Sequence, residues 1–175
     1  MNKRMRGFTL MEILTAMAVA LVALCIGLPS FSQMLDRHRQ LAATNEILAQ
    51  LALARSWAIS RGEPVALCPS TDQQQCESRV EWSGNWIIYA DPDGNRQPNR
   101  SSDILTTSVA PGSPRLRVLS SSGRPQMRYL ADGRGAGNNL TLRLCNSATV
   151  VAEVVVSATG RPRAARLEAG AFCAP

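Results

Sequence analysis

Hydrophobic and polar residues divide the chain into three stretches, of which the first is almost uniformly apolar. No charged residue occurs over the 23 residues from Ile13 to Leu35, and a helix of about 20 apolar residues spans a bilayer. The preceding segment, residues 1–7, contains three basic residues, and positive charge favours the cytoplasmic side of a membrane. We therefore expect a transmembrane helix over about residues 8–32, with everything after Asp36 outside the cytoplasm.

The second stretch, from Gln33 to Arg61, keeps apolar residues at helical spacing and places charged residues on the opposite side. Gly62 and Pro64 then end the helical pattern. The sequence thus predicts one continuous helix over residues 8–61, whose second half packs against a folded head.

The third stretch consists of short apolar runs separated by Gly, Pro, Asn and Ser, a pattern typical of β-strands. The predicted strands are Val65–Cys68, Asn85–Ala90, Ile104–Val109, Leu116–Leu119, Gln126–Leu130, Leu140–Cys145 and Val150–Val156. Alternating residues in the sixth run indicate a sheet with one solvated face. The predicted fold class is α+β, with a long N-terminal helix packed on an antiparallel β-rich head over residues 62–175.

Composition adds an uneven distribution of charge to this picture. The 175 residues are 45% apolar, enough for one small head with a core, and the formal net charge is +6. Residues 96–175 hold 11 Arg against 4 Asp and Glu, whereas the first 95 residues are nearly balanced. Arginine binds phosphate in a planar, bidentate way, so this asymmetry favours a polyanionic partner. A solubilising surface is the alternative.

The five cysteines also divide by position. Cys25 lies in the apolar stretch, where we expect a small buried hydrophobe, and the other four lie in the head at Cys68, Cys76, Cys145 and Cys173. Four cysteines in an exported domain predict two disulfides, and three pairings are possible. Zinc would need CxxC or histidine ligands at suitable spacing, which are missing, so no metal is predicted.

The N-terminus has three possible processing routes. A secretory signal has a shorter apolar core with a small-x-small cleavage site after it. A lipoprotein signal has a small residue before its cysteine, where this chain has Leu24. Residues 6–12, Arg-Gly-Phe-Thr-Leu-Met-Glu, resemble instead the signal of type IV prepilins. The resemblance implies a pilin-like fold and an inner-membrane anchor, with prepilin peptidase cleaving after Gly7 and methylating the amine of Phe8.

Glu12 is an unusual residue for an apolar helix, since a carboxylate there costs roughly 2.5–3.5 kcal/mol by insertion scales. In a pilin filament it could pair with the Phe8 amine of a neighbouring subunit, so that two buried charges compensate each other. We therefore predict an assembly role for Glu12 and other pilins as partners. A glutamate that reaches the headgroups is the alternative.

Residues 82–91, Trp-Ser-Gly-Asn-Trp-Ile-Ile-Tyr-Ala-Asp, followed by Asp93-Gly-Asn, resemble the tryptophan strand and acidic turn of the minor pilin and pseudopilin family that includes FimT and GspH. Within the head we expect Trp82 and Trp86 to be core residues. The acidic turn lacks the spacing of an EF-hand, so an ordinary turn is expected in preference to a calcium site.

The C-terminal segment is the candidate for a function beyond assembly. Gly160-Arg161-Pro162-Arg163 resembles the Gly-Arg-x-Arg motif of DNA-uptake pilins of the FimT type, which implies DNA contact by these residues and by Arg166. In an extended segment Arg161 and Arg163 would face the same side, about 6.6 Å apart.

The cysteines bear on this segment as well. A Cys145–Cys173 disulfide would enclose it in a loop of about 28 residues, worth roughly 3–4 kcal/mol by chain entropy. Cys68 with Cys76 would then close the polar loop over residues 69–75.

We predict contacts with the phosphate backbone of DNA, which do not depend on base sequence. Aromatic stacking partners are scarce near the tail, so double-stranded DNA is predicted in preference to single-stranded DNA. Arg134, with Arg124 and Arg128, could extend the surface. One histidine, without a nucleophile motif or phosphate loop, argues against an enzyme and predicts no cofactor. The alternative function is a structural minor pilin or pseudopilin that does not bind DNA.

Overall fold

The computed structural model describes residues 9–109, 116–121, 123–137, 139–165 and 171–173, with residues 26–30 described by their backbone alone. Gly7, Phe8 and Arg166, to which the sequence assigns roles, therefore lie outside the described residues. The chain divides into two compact units, residues up to His38 and residues from Arg39 onward.

Helix α1 extends over Leu10–Arg61, 52 residues. The hydroxyl of Thr9 accepts a hydrogen bond from the amide of Glu12 at 3.3 Å, which caps the first turn. Glu12 and Cys25 are both exposed in the first unit, so the expected burial of Cys25 is wrong for the isolated chain, where no described element covers it. Within the described residues, no helix combines the length and the apolar character needed to cross a membrane. The transmembrane span thus stays a prediction.

In the second unit, the helix buries one face against the head. Its fully buried residues follow the spacing of three and four that places side chains on one side of a helix: Ala43, Ile47, Leu51, Ala54 and Ala58. The helix ends at Arg61, and Gly62 follows with φ of +66°, the left-handed conformation that commonly ends helices.

The described residues of the head form eight strands. They are β1 (Val65–Pro69), β2 (Asn85–Ala90), β3 (Ile104–Val109), β4 (Leu116–Ser120), β5 (Met127–Tyr129), β6 (Leu140–Asn146), β7 (Thr149–Val156) and β8 (Pro162–Ala165). They make two four-stranded antiparallel sheets: sheet A in the order β3-β2-β1-β5 and sheet B in the order β4-β6-β7-β8. All seven predicted strands are confirmed, within two residues at each end. The eighth, β8, lies in the tail that the sequence predicted as extended.

The inner faces of both sheets and the buried face of α1 share the largest core. Trp82 and Trp86 are buried in it, as expected, and the indole Nε1 of Trp86 donates to the carbonyl of Trp82 at 2.7 Å. Two smaller clusters lie elsewhere, one around Cys68 and Tyr89 and one around Cys145. The helix and the sheets together confirm the predicted α+β class, with the helix packed on an antiparallel β-rich head.

Candidate nucleic-acid interface

The turn between β7 and β8 contains the glycine of the Gly-Arg-x-Arg motif. Gly160 is buried with φ of +77°, and its amide donates to the carbonyl of Ser157 at 2.8 Å. A Cβ at this position would lie 2.0 Å from the carbonyl oxygen of Gly133. Both the backbone angle and the space therefore require glycine, which gives this residue of the motif a packing role.

The turn rests on a loop that carries Arg134. The amide of Gly135 donates to the carbonyl of Ala158 at 3.0 Å, and the Cα of Arg134 lies 3.2 Å from where a Cβ of Gly160 would be. The structure thus brings Arg134 beside Gly160 and Arg161, residues that are far apart in sequence.

Two further residues hold this arrangement in place. Arg55 of α1 donates from Nε to the carbonyl of Gly133 at 2.9 Å, and Asn139 accepts from the amide of Ala158 at 3.0 Å. Sequence reasoning missed both, because an arginine on a helix and an asparagine in a turn carry no local signal of a distant partner.

The motif arginines themselves are exposed. Arg163 lies in β8, at the edge of sheet B, opposite Val155 of β7. The next pair in the register, Val154 with Ala164, points to the opposite face of the sheet, because successive residues of a strand alternate between faces. Val154 is buried in the core, so Arg163 lies on the outer face. Arg161 directly precedes the strand. Neither guanidinium forms an ion pair within the described part of the chain.

Arg134 is exposed but paired. Its Nε lies 2.5 Å from Oδ2 of Asp132, with 67% and 50% of the two side chains exposed. Hydrogen bonds from the backbone amide and then the side chain of Arg134 lower the pKa of Asp132. Asp132 therefore remains ionised at neutral pH and partly neutralises Arg134.

Arg128 does not extend this surface freely. Its Nε lies 2.5 Å from Oδ2 of Asp91, whose side chain is fully buried, and its Nη2 donates to the Asp91 carbonyl at 2.8 Å. The short strand β5 buries Met127 and Tyr129 and so turns Arg128 to the other face of sheet A, where Asp91 needs a counter-ion. Arg128 therefore has a carboxylate partner, and its part in a wider DNA-contacting surface stays a prediction.

The acidic turn that follows β2 is held by its own hydrogen bonds. Asp93 accepts from the side chain of Asn99 at 3.0 Å and from the amide of Asn95 at 3.3 Å. In the described ranges no group of three or more acidic, histidine or cysteine side chains is placed to hold a metal ion.

The structure pairs Cys68 with Cys76 and Cys145 with Cys173, with Cα atoms 5.6 and 6.0 Å apart. The second disulfide encloses the motif. Backbone contacts next to this disulfide add to it. Phe172 forms an antiparallel β-bridge with Thr149 of β7, and the amide of Cys173 donates to the carbonyl of Ala148 at 2.9 Å. The segment that carries the arginines is therefore fastened to sheet B at both ends.

Comparison with known proteins finds a matching family and solved structures with a similar fold. The family model for type II transport protein GspH matches residues 43–160. Two crystal structures of the type IV minor pilin FimU from Pseudomonas aeruginosa PAO1 share the fold at a TM-score of 0.58 each. The first is 18% identical, and the alignment covers 73% of this chain and 89% of the FimU chain. The second is 19% identical, and the alignment covers 77% of this chain and 99% of the FimU chain.

A third solved structure is more distant. The minor pseudopilin EpsH of the type 2 secretion system of Vibrio cholerae has a TM-score of 0.47 at 13% identity, with 73% of this chain and 95% of that chain covered. No curated protein matches the chain.

Proposed function

The chain belongs to the GspH family of minor pilins and pseudopilins, and on that basis we propose that it is a minor type IV pilin whose head binds duplex DNA during DNA uptake. Contact is made with the phosphate backbone by Arg161 and Arg163, assisted by Arg134 and Arg166. Binding is independent of base sequence, because phosphates carry no sequence information.

The observation that supports this proposal is that both motif arginines are exposed and lack a carboxylate partner among the described residues. Six other arginines of the second unit have such a partner: Arg61, Arg79, Arg117, Arg128, Arg134 and Arg143. Arg96 and Arg124 share the unpaired state, but Arg161 and Arg163 are the two that belong to the motif. A guanidinium without a carboxylate keeps its full charge for a phosphate, which it can bind through two parallel hydrogen bonds.

The segment that carries Arg161 and Arg163 is fixed to the rest of the head. Because Gly160 fits tightly on Gly133 and the Cys145–Cys173 disulfide closes the loop, the arginines are presented on an ordered surface. Less conformational entropy is then lost on binding than with a free tail. A single head still offers few contacts, so several subunits in one filament would bind DNA more strongly through effective concentration.

Assembly into the filament is the other half of the proposal. Prepilin peptidase cleaves after Gly7 and methylates Phe8, the apolar helix holds the subunit in the inner membrane with its head in the periplasm, and Glu12 pairs with the Phe8 amine of a neighbouring pilin. Exposed apolar residues at the start of α1, such as Leu10 at 78% and Met11 at 71%, suit a segment that is covered by lipid or by other pilins.

The test measures DNA binding by the full chain, purified in a neutral maltoside detergent. Binding of a labelled random-sequence duplex is followed by fluorescence anisotropy over a range of salt. The double variant Arg161→Gln/Arg163→Gln should lower the slope of log affinity against log salt by about 1.8, since each phosphate contact contributes about 0.9.

The control is Arg79→Gln/Arg117→Gln, which removes the same charge from two half-exposed ion pairs. It should change the slope much less. Equal slopes for wild type and the tail variant would overturn the tail as the site. A wild-type chain that does not bind duplex DNA at low salt would overturn the proposed function and favour a purely structural pilin or pseudopilin.

A further inference from the structure

A polar cavity of about 170 Å³ lies beside β5, formed by loops near residues 94–96 and 123–128. Three of its lining residues are arginines, Arg96, Arg124 and Arg128. Among the described residues that line it there is no carboxylate, and Asp91, the partner of Arg128, is fully buried. None of its lining residues is among the four arginines proposed above to contact DNA.

Within the described residues, ion pairs balance only part of the positive charge of this cavity. Arg128 is neutralised by Asp91. Arg96 and Arg124 form no ion pair within the described ranges, so their two positive charges are uncompensated. Like charges gathered at one concave surface raise the local potential and attract an anion.

The arginines are also held in place by the backbone around them. Gly137 has φ of +105°, and a Cβ there would lie 2.9 Å from Nη1 of Arg124, so the guanidinium rests against the bare backbone. Arg96 has φ of +68°, a left-handed conformation in which glycine would be relaxed, and its amide donates to Oδ1 of Asp91 at 3.2 Å. Arg96 thus stands at the rim of the cavity although its backbone conformation would suit glycine better.

A neighbouring cavity of about 210 Å³ shares Arg96, Pro125 and Gln126 but is otherwise lined mainly by neutral side chains, with one carboxylate, Glu77. Gln126 is oriented by Tyr89, whose hydroxyl donates to its Oε1 at 2.9 Å. Burial raises the pKa of Tyr89, so this donor stays protonated at neutral pH. The positive charge is therefore concentrated in the first cavity.

We infer that the cavity lined by Arg96, Arg124 and Arg128 is a subsite for one phosphate group. Guanidinium forks match the oxygens of a phosphate, and a tetrahedral group with several oxygens can use donors that converge from three directions. A carboxylate is planar and carries less charge, so it would accept hydrogen bonds from fewer of these guanidinium donors.

The source of the phosphate follows from the neighbours of the cavity. Ala136 lines it and donates to the carbonyl of Arg128 at 2.8 Å, while the adjacent Gly135 donates to Ala158 in the turn before the motif arginines. Gly135 and Ala136 are consecutive, so their Cα atoms lie about 3.8 Å apart. One residue therefore lines the cavity while its neighbour contacts the turn that carries the arginine tail. The subsite therefore takes a backbone phosphate of the DNA that the tail binds, an assignment of source that rests on the proposed function.

The first arm of the test uses inorganic phosphate and the full chain in maltoside detergent. The arginine Nε–Hε signals are followed by NMR while phosphate replaces chloride at constant ionic strength. Saturable shifts of Arg96 and Arg124 are expected, and Arg96→Gln/Arg124→Gln should weaken phosphate binding at least tenfold. Arg79→Gln/Arg117→Gln is the charge-matched control and should leave it unchanged. Absence of saturable shifts at the cavity would overturn the subsite.

The second arm repeats the salt dependence of duplex binding. Loss of one phosphate contact in Arg96→Gln/Arg124→Gln should lower the slope by about 0.9. An unchanged slope with intact phosphate shifts would support the subsite for free phosphate and overturn the DNA backbone as its source. If the wild-type chain fails to bind DNA while phosphate still shifts the cavity signals, the proposed function fails and the phosphate subsite stands.

Discussion

Gly160→Ala is the substitution that tests most directly how the tail is held. The new Cβ would meet the Gly133 carbonyl oxygen at 2.0 Å and the Gly133 carbonyl carbon at 3.0 Å. Ordinary contact with that oxygen is more than an ångström longer, so the loop over residues 130–135 has to move away from the turn. Overpacking of this kind costs about 1–3 kcal/mol, and a left-handed φ costs an alanine about 1–2 kcal/mol more.

Gly123→Ala separates these two contributions. Gly123 has φ of +72°, nearly the same as Gly160, but nothing lies within 4 Å of a Cβ built there. Both variants carry the backbone strain and the lower entropy of the unfolded chain, and only Gly160→Ala carries the clash. The free energy of unfolding should therefore be about 1–3 kcal/mol lower in Gly160→Ala than in Gly123→Ala.

The measurement is a urea titration followed by tryptophan fluorescence in maltoside detergent. Trp82 and Trp86 are buried in the head core, so their emission reports on the head. Without urea, Gly160→Ala should also bind duplex DNA more weakly, since the loop that carries Arg134 is displaced. Equal free energies of unfolding in the two variants would refute the close packing of Gly160 on Gly133.

Two further predictions concern the same surface. Asp132→Asn should strengthen duplex binding a few-fold by anisotropy, because Arg134 loses its partner at 2.5 Å; weaker binding would contradict this. Since the folded pKa of Asp132 is lowered, acid would release Arg134 only as the pH falls below the usual carboxyl range near 3.8. Cys173→Ser should lower the free energy of unfolding by roughly 3–4 kcal/mol and Cys76→Ser, with its shorter loop, by roughly 2–3 kcal/mol. Urea titration would count against the chain-entropy account if the order were reversed.

The helix and seven strands could be predicted because their signals are local. Apolar and polar residues alternate in β6. Gly62 predicts that α1 ends just before it, and the helix ends at Arg61. Strand β8 has no apolar alternation, so it could be anticipated only as an extended tail. Its Pro162 is compatible with a strand only at the first position or on an edge, and the structure has it at both.

The state of each arginine could not be predicted in the same way. The Asp132–Arg134 pair spans two residues and had a local signal. The Arg128–Asp91 pair spans 37 residues, and whether Arg128 is available for DNA depends on where sheet A places it. The contact of Arg55 with Gly133 spans 78 residues and needed the packed helix as well. Local sequence therefore indicates which residues could bind phosphate, and the fold decides which of them keep their charge.

The arrangement of cysteines in the head has a consequence for its maturation. The largest core contains no cysteine among its described residues, and each disulfide belongs to one of the two small clusters, Cys68 with Cys76 and Cys145 with Cys173. The helix and both sheets therefore share a core whose described side chains carry no thiol. In the folded head the Cα atoms of the two pairs lie 5.6 and 6.0 Å apart, separations that suit a disulfide. The fold thus favours one of the three possible pairings of the four head cysteines.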